Sequence, residues 1–250
     1  LPPSHRASTR AAHKPYTLNQ DYHRSLNPKK LIEVGFSRLA PRMTMARTLK
    51  LYKLPDEPQL PGIRPLAKKD VPAACKLLNK HLKQYQLAAS FDEAEFEHWF
   101  LERPGVVYSY VIEDPKSGQI TDLTSFYALP STIIGNKQYP TLHAAYSFYS
   151  VPTSCSLEKL MQVCSPAPAS VCSTLSPSTI VSKLTLSPLQ DALILAKGLD
   201  FDVFNALNIL DQEEVLNQLK FGIGDGHLQY YLYNWRCRDM PPNEVGLVLL

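Results

Sequence analysis

Apolar residues recur along the middle of the chain with two different periods. Val71, Ala74, Leu77, Leu78, Leu82 and Tyr85 return every three or four positions, which makes one buried stripe on a helix. Asp70 stands where that helix needs its N-cap, and Pro72 is tolerated in the first turn. A second helix is expected over Glu93–Phe100. Val106–Glu113 and Ile120–Tyr127 are apolar runs on either side of Pro115-Lys116-Ser117-Gly118, the signature of a hairpin. His143–Val151, Phe201–Leu207 and His227–Trp235 read as further strands. Leu31-Ile32-Glu33-Val34 and Leu49-Lys50-Leu51-Tyr52 read as strand edges, and Pro55 to Pro65 as a Pro-rich linker. Asp211 and Glu214 form a capping box for a helix ending near Lys220. Helices and strands alternate, so the expected class is α+β, a mixed sheet flanked by helices.

Two segments break the pattern. Residues 1–20 are basic, polar and punctuated by proline, and are expected to be disordered. The remaining 21–250 reads as one domain interrupted by a low-complexity insertion at 163–190. Half of that insertion is Ser, Pro or Thr, it contains no acid, and Lys183 is its only charge. Such a segment buries too little apolar surface to offset its ordering entropy. Removing it joins Gln162 to Asp191 and puts Leu157, Leu160, Met161, Ala192, Leu193 and Ala196 on one helical face. Every Val codon begins with GT and Gln can be encoded by CAG, so Val163 and Gln190 at its ends are compatible with a retained intron. A surface loop is the alternative, since closure entropy grows slowly with length.

The densest local signal is Lys220-Phe221-Gly222-Ile223-Gly224-Asp225-Gly226. Three alternate glycines suit backbone that a side chain would block. Asp225 among them argues against a phosphate cradle and for a place that receives a cation. By itself the run reads as a tight turn between a helix and a strand.

Bulk properties exclude several classes. A net charge of +3 without a Lys/Arg block gives no nucleic-acid footprint. No apolar stretch is long enough for a membrane span, and no secretory signal stands at the start. Five cysteines without short paired spacings suit reduced thiols, hence the cytoplasm. His81, His98, His143 and His227 lack metal-ligand spacing and no C-x-x-C pair occurs, so no metal site is expected. No G-x-S-x-G elbow supports a hydrolase. The chain opens on Leu rather than Met, which suggests a fragment.

The glycine run, the aromatic stretch Gln229-Tyr230-Tyr231-Leu232-Tyr233-Asn234-Trp235 and the ending Val245-Gly246-Leu247-Val248-Leu249-Leu250 together resemble the C-terminal part of N-myristoyltransferase. So do His23-Arg24-Ser25-Leu26-Asn27-Pro28, Met43-Thr44-Met45, Leu129-Pro130-Ser131-Thr132 and Ala144-Ala145-Tyr146-Ser147. The resemblance covers about 22–162 and 191–250 and is plant- or algal-like. It implies the second of two acetyltransferase-like halves, and transfer of myristate from myristoyl-CoA to the N-terminal glycine of proteins. It also implies a monomer that takes N-terminal Gly peptides. Myristoyl-CoA is then a co-substrate rather than a tightly bound cofactor. Its main site and the oxyanion hole lie in a first half whose Glu-Ile-Asn-Phe-Leu-Cys-type signature is absent here.

What the resemblance implies for single residues is specific. The substrate amine must lose a proton before it attacks a thioester. The family's base is the chain's terminal carboxylate, which here is that of Leu250. An α-carboxyl titrates at about 3.3–3.7, so its value lies in holding the ammonium close and desolvated. Asp225 resembles the acid that meets basic residues of the substrate. His23, Tyr127, Ser147 and Leu228 resemble residues of the peptide groove. Each also has an ordinary structural role: a turn for Asp225, strand packing for Leu228 and strand hydrogen bonds for Ser147. The family has an aromatic pair before its histidine, whereas this chain has Asp21-Tyr22. A chain with the base but no acyl-donor site should be inactive alone, because oxyanion donors are worth roughly 10²–10³ in rate. A catalytically dead peptide-binding module and a non-functional gene fragment are the alternatives.

Overall fold

A computed structural model of the chain describes residues 15–58, 60–153, 189–210, 212–231 and 238–248. The strands are β1 (Thr17–Ser25), β2 (Ile63–Pro65), β3 (Leu87–Ala88), β4 (Val107–Glu113), β5 (Ile120–Ala128), β6 (Ser131–Thr132), β7 (Thr141–Leu142), β8 (Ala144–Val151), β9 (Val203–Leu207), β10 (Gly222–Tyr230) and β11 (Val245–Gly246). The helices are α1 (Pro28–Glu33), α2 (Met45–Leu51), α3 (Val71–Leu82), α4 (Glu93–Phe100), α5 (189–198) and α6 (Glu213–Gln218).

Seven strands form the main sheet in the order β10-β1-β9-β8-β5-β4-β2. All neighbours are antiparallel except β8 and β9, where Ala144 pairs with Val203 and Tyr146 with Asn205. A parallel pair needs a crossover, and α5 lies in the connection that supplies it. Helices cover both faces. On one face α3 and α4 pack Leu78, Leu82, Phe96 and Phe100 against Val111, Leu123, Phe148 and Tyr149. On the other, α5 and α6 pack Ala192, Leu193, Val215 and Leu216 against Phe126, Phe204 and Tyr22. The class is α+β, a mixed sheet flanked by helices, as the alternation of elements indicates.

Several sequence expectations are corrected. Leu31–Val34 and Leu49–Tyr52 are not strand edges but lie in or at the end of α1 and α2. The Asn27 side chain accepts from the Lys30 amide with Pro28 at the first position, and Thr44 accepts from the Arg47 amide. Those caps start helices that a four-residue apolar run cannot announce. Disorder over 1–20 fails at its end, because Thr17–Gln20 are the first half of β1 and Tyr16 is buried beside Tyr230. Pairing with Tyr230, Gln229, Leu228 and His227 supplies the backbone order that composition does not reveal. The linker's last three residues form the edge strand β2. Leu189 and Gln190, counted with the insertion, are helical, and Leu189, Ala192, Leu193 and Ala196 are all buried. Residues 163–188 and Leu157, Leu160 and Met161 lie outside the described residues, as does Asp211 of the expected capping box.

Asp70 occupies the N-cap position of α3 without capping it. Its carboxylate instead accepts from Arg64 at 2.6 and 3.0 Å and from the Ala67 amide at 3.0 Å. Hydrogen bonds from Arg64 hold the Asp70 carboxyl below the usual carboxylate range, against the opposing effect of burial. A depressed folded-state value contributes stability that is present above the unfolded value, near 3.9, and is lost as pH falls through the folded one. Urea midpoints should therefore drop as the pH falls below about 4. Arg64→Met should cost about 1–2 kcal/mol at neutral pH and flatten that acid limb. An unchanged acid limb in the variant would assign the acid sensitivity to other carboxylates.

Candidate functional site

The glycine run is not a turn. Gly222–Gly226 belong to β10, and the left-handed residue at its entry is Lys220, with φ of 62°. Register between β1 and β10 shifts between Gln20 and Tyr22: Gln20 pairs with His227 and Tyr22 with Ile223. Gly224, Asp225 and Gly226 thus bulge opposite the single residue Asp21, and bulges of this kind re-aim side chains. The Gln20 side-chain amide donates to the carbonyls of Gly224 at 2.9 Å and Gly226 at 3.1 Å, which fixes the bulge. Glycine is required here by close approach. A Cβ on Gly224 would stand 2.5 Å from His23 Nε2 and 3.2 Å from the Asp21 carbonyl oxygen.

Beside the bulge, on the sheet face toward α3 and α4, lies a cleft of about 400 Å³ lined by Asp21, Tyr127, Tyr146, Leu207, His227 and Leu228, with Gly226. Tyr127 and Tyr146 are register partners on β5 and β8, and their rings stack at 5.4 Å. Burial, then the Tyr146 hydroxyl, pushes the Tyr127 phenol up to about 12. Burial also raises Tyr146, against a hydrogen bond from Asn205. Both stay protonated donors at neutral pH.

His23 stands two residues beyond Asp21 on the same side of β1. Its Nδ1 lies 2.7 Å from Asn205 Oδ1, its Nε2 lies 3.4 Å from Asp21 Oδ2, and its ring meets Phe36 edge-on. Both ring nitrogens therefore face oxygens. Burial raises the Asp21 carboxyl, opposed by His23 and the Tyr22 amide, and the Asp225 charge raises it further. Asp225 itself is exposed on the bulge.

The structure brings together four of the residues expected from sequence: His23, Tyr127, Asp225 and Leu228. Ser147 stands apart. It pairs with Phe126, and residues opposite one another on antiparallel strands share a face, so Ser147 is on the far side of the sheet from Tyr127 and Tyr146. Leu250 lies outside the described residues. Its approach is described as far as Val248. Val245 pairs in parallel with Leu87, the Tyr230 hydroxyl donates to the Leu247 carbonyl, and the Val248 amide donates to the Tyr149 hydroxyl at 3.1 Å. Leu247 and Val248 pack in the same apolar cluster as Tyr127 and Leu207, two walls of the cleft. Asp21, Tyr146, Asn205, Leu207 and His227 are contributed by strands whose neighbours only the fold sets. Asn205 carries a local signal of its own, a lone polar residue inside Val203-Phe204-Asn205-Ala206.

The His-Arg-Ser-Leu-Asn-Pro run is largely structural around its histidine. Arg24 is buried, donates to the carbonyls of Ser25 and Tyr52 at 2.9 and 3.3 Å, and lies over the Tyr52 ring. Burial lowers its guanidinium to about 10. Asn27 caps α1 and donates to Asp202. Among the described residues no three His, Cys, Asp or Glu side chains come together as a metal would need, and no helix is long and apolar enough to cross a membrane.

Residues 33–248 match the family described as "Myristoyl-CoA:protein N-myristoyltransferase, C-terminal domain". The chain belongs to this family. It is 50% identical over 237 residues to "Glycylpeptide N-tetradecanoyltransferase 1" of Arabidopsis thaliana, covering 94% of this chain and 48% of that protein. It is 46% identical to the "Probable glycylpeptide N-tetradecanoyltransferase" of Caenorhabditis elegans, covering 94% of this chain and 46% of that protein. Its fold superposes with a TM-score of 0.84 on Saccharomyces cerevisiae N-myristoyltransferase with bound myristoyl-CoA, at 31% identity, over 96% of this chain and 58% of that one. The chain spans about half the length of the curated N-myristoyltransferases it matches.

Proposed function

We propose that the cleft is the peptide groove of a glycylpeptide N-tetradecanoyltransferase, and that this chain supplies the groove and the proton acceptor. In that reaction the substrate's N-terminal nitrogen attacks the thioester carbonyl of myristoyl-CoA, an amide bond forms, and coenzyme A leaves as the thiol. The nitrogen sheds two protons: one lost by its ammonium before attack, the other released after it. One goes to the thiolate and one to a base. The observation that carries the reading is the cleft. It holds the Asp21 carboxylate, which pairs with His23 beside the cleft, two stacked phenols and an apolar wall from Leu207 and Leu228, on an apolar cluster shared with the approach to the tail.

The base in this reading is the carboxylate of Leu250. Residues 245–248 are threaded through the core rather than loose, which suits a tail delivered to the cleft. The myristoyl-CoA site and the oxyanion hole are assigned to the part of the relatives' length that this chain does not span. Alone, the chain should bind Gly-initiated peptides without turning them over, which is also the behaviour of a non-catalytic peptide-binding module. Its cysteine usage suits the cytoplasm, and we take it as a monomer.

The test combines peptide binding with transfer of labelled myristate. The chain should bind a Gly-initiated octapeptide at least tenfold more tightly than the N-acetylated one, whose nitrogen cannot carry the charge. No labelled product should form until the N-terminal half of a relative is supplied. Turnover by the chain alone would refute the division of labour. Equal affinity for the two peptides would remove the groove assignment. Product in the supplemented reaction separates the enzyme from the inert module.

A further inference from the structure

Between β1 and β2 the chain makes an excursion that buries few side chains. Residues 32–47 contain no buried one, and Thr48 is the only buried residue of α2. The excursion is ordered all the same. The Gly35 and Ser37 amides donate to the carbonyls of Ile32 and Leu31, and the Met43 amide to that of Ala40. Lys220 Nζ and the Arg24 guanidinium hold the far end of α2 through the carbonyls of Leu51 and Tyr52. Phe36, Leu39, Leu49 and Leu51 are nevertheless left exposed. Large apolar side chains gathered on an ordered surface mark a place that meets something else.

The charge of the same stretch is one-sided. Residues 28–53 hold seven Lys and Arg against one acid, Glu33. Lys30 is paired with Asp202, and Glu33 accepts from the Tyr139 hydroxyl. The other six, Lys29, Arg38, Arg42, Arg47, Lys50 and Lys53, are exposed, and among the described residues none has a carboxylate partner. The next acids in sequence, Asp56 and Glu57, come after the chain has turned inward at the buried Leu54. The β6–β7 hairpin extends the face. Ile133 and Leu142 pack with Leu31 of α1 in one apolar cluster, which puts the hairpin beside α1. At its tip Ile134 is 96% exposed, and Lys137 is exposed three residues on. The Asn136 side chain accepts from the amides of Gln138 and Tyr139, so the tip holds its shape.

We propose that this face, built by α1, α2 and the β6–β7 tip, docks on an anionic lipid surface. Cations and aliphatic side chains alternate along it, as in Arg38-Leu39 and Leu49-Lys50-Leu51. A protein interface separates an apolar core from a polar rim, which this face does not do. The boundary of a membrane presents phosphates and acyl chains side by side, so interleaved cations and leucines suit it. Long Lys and Arg stems reach the headgroups while Leu49 and Ile134 enter the acyl region. Single-stranded nucleic acid would want aromatic platforms, and Phe36, the exposed aromatic of this stretch, already has its ring against His23. That contact sets the face at the edge of the cleft, so a protein docked this way holds its cleft at the membrane. Docking of this kind does not depend on what the cleft binds.

The test is co-sedimentation of the full chain with phosphatidylcholine vesicles, with and without phosphatidylserine. Each cation near an anionic leaflet is worth about fivefold in binding at low salt. Partition should rise at least tenfold with phosphatidylserine and fall as salt rises. Arg42→Gln/Arg47→Gln/Lys50→Gln should cut it by about tenfold or more. Leu49→Ser/Ile134→Ser should cut it by about tenfold at any salt. Both variants change exposed residues only, so their melting temperatures should stay within about 2 °C of the wild type. Removing three exposed charges elsewhere, with Lys76→Gln/Lys80→Gln/Lys83→Gln on α3 and its C-cap, should leave most of the binding. Equal loss in the two triple variants would mean attraction by net charge alone and overturns the face. Equal binding to the two kinds of vesicle, no binding to either, or capture by an RNA oligonucleotide in place of vesicles overturns it too. So does vesicle binding that vanishes when the N-terminal half of a relative is supplied, which would assign the face to that half.

Discussion

Asp202→Ala should lower stability by about 3–5 kcal/mol, and the melting temperature by about 10 °C. Asp202 is 3% exposed, and its carboxylate accepts from Lys30 Nζ at 2.6 Å, Asn27 Nδ2 at 3.3 Å and the His143 amide at 2.9 Å. Its backbone carbonyl accepts from the amides of Leu26 and Asn27. One residue thus ties the end of β1, the start of α1, the entry to β8 and the entry to β9. Alanine removes the acceptors and leaves the Lys30 ammonium, 12% exposed, without its counter-ion. That residual charge, rather than the lost attraction, makes the cost large. Asp202→Asn keeps an acceptor for the His143 amide and should lose roughly half as much. Urea titrations of the three proteins measure the difference. A loss below about 1 kcal/mol for alanine would mean that water replaces the carboxylate at no cost.

Gly246→Ala should destabilise by about 2–3 kcal/mol and release the segment that follows it. A Cβ at position 246 would stand 2.6 Å from Tyr85 Cδ2, 2.8 Å from Cγ and 2.9 Å from Cβ. These are not the far end of a pliable side chain. Tyr85 is held at its tip, where the hydroxyl donates to the Leu210 carbonyl, and at its base by the chain entering β3. The parallel pairing of β11 with β3 must therefore open. Amide exchange gives the sharper readout. The Val248 N–H, bound to the Tyr149 hydroxyl, should lose protection more than amides of α3 do. Uniform loss of protection would mean a global effect with no special loosening of the tail.

How much of this was legible in the chain depends on the range of the interaction that decides each feature. The α3 stripe and the β4–β5 hairpin follow from local periods and a local turn, and the structure reproduces them closely. Helices α1 and α2 were misread because their apolar runs are shorter than the period that would distinguish helix from strand. The glycine run was misread as a turn because its glycines answer to His23 and Asp21, two hundred residues away in the chain. Motif resemblance pointed to His23, Asp225, Tyr127 and Leu228, which the fold gathers in and beside one cleft. It also suggested Ser147, one residue from Tyr146, and a single step along a strand changes the face.

The order of apolar and polar residues determined the helices with long stripes, the hairpin, the α+β class and, through its motifs, membership of the N-myristoyltransferase family. Tertiary structure alone decided which strands adjoin β1, where the bulge opposite Asp21 falls, and so which carboxylate, imidazole and phenol share one cleft. The physical reason is that a side chain's face is set by strand parity and bulge position, while its neighbours are set by pairings that close long loops. Thr17–Gln20 sit in a segment whose composition reads as disordered, and they become the first half of β1 only where β10 pairs with them.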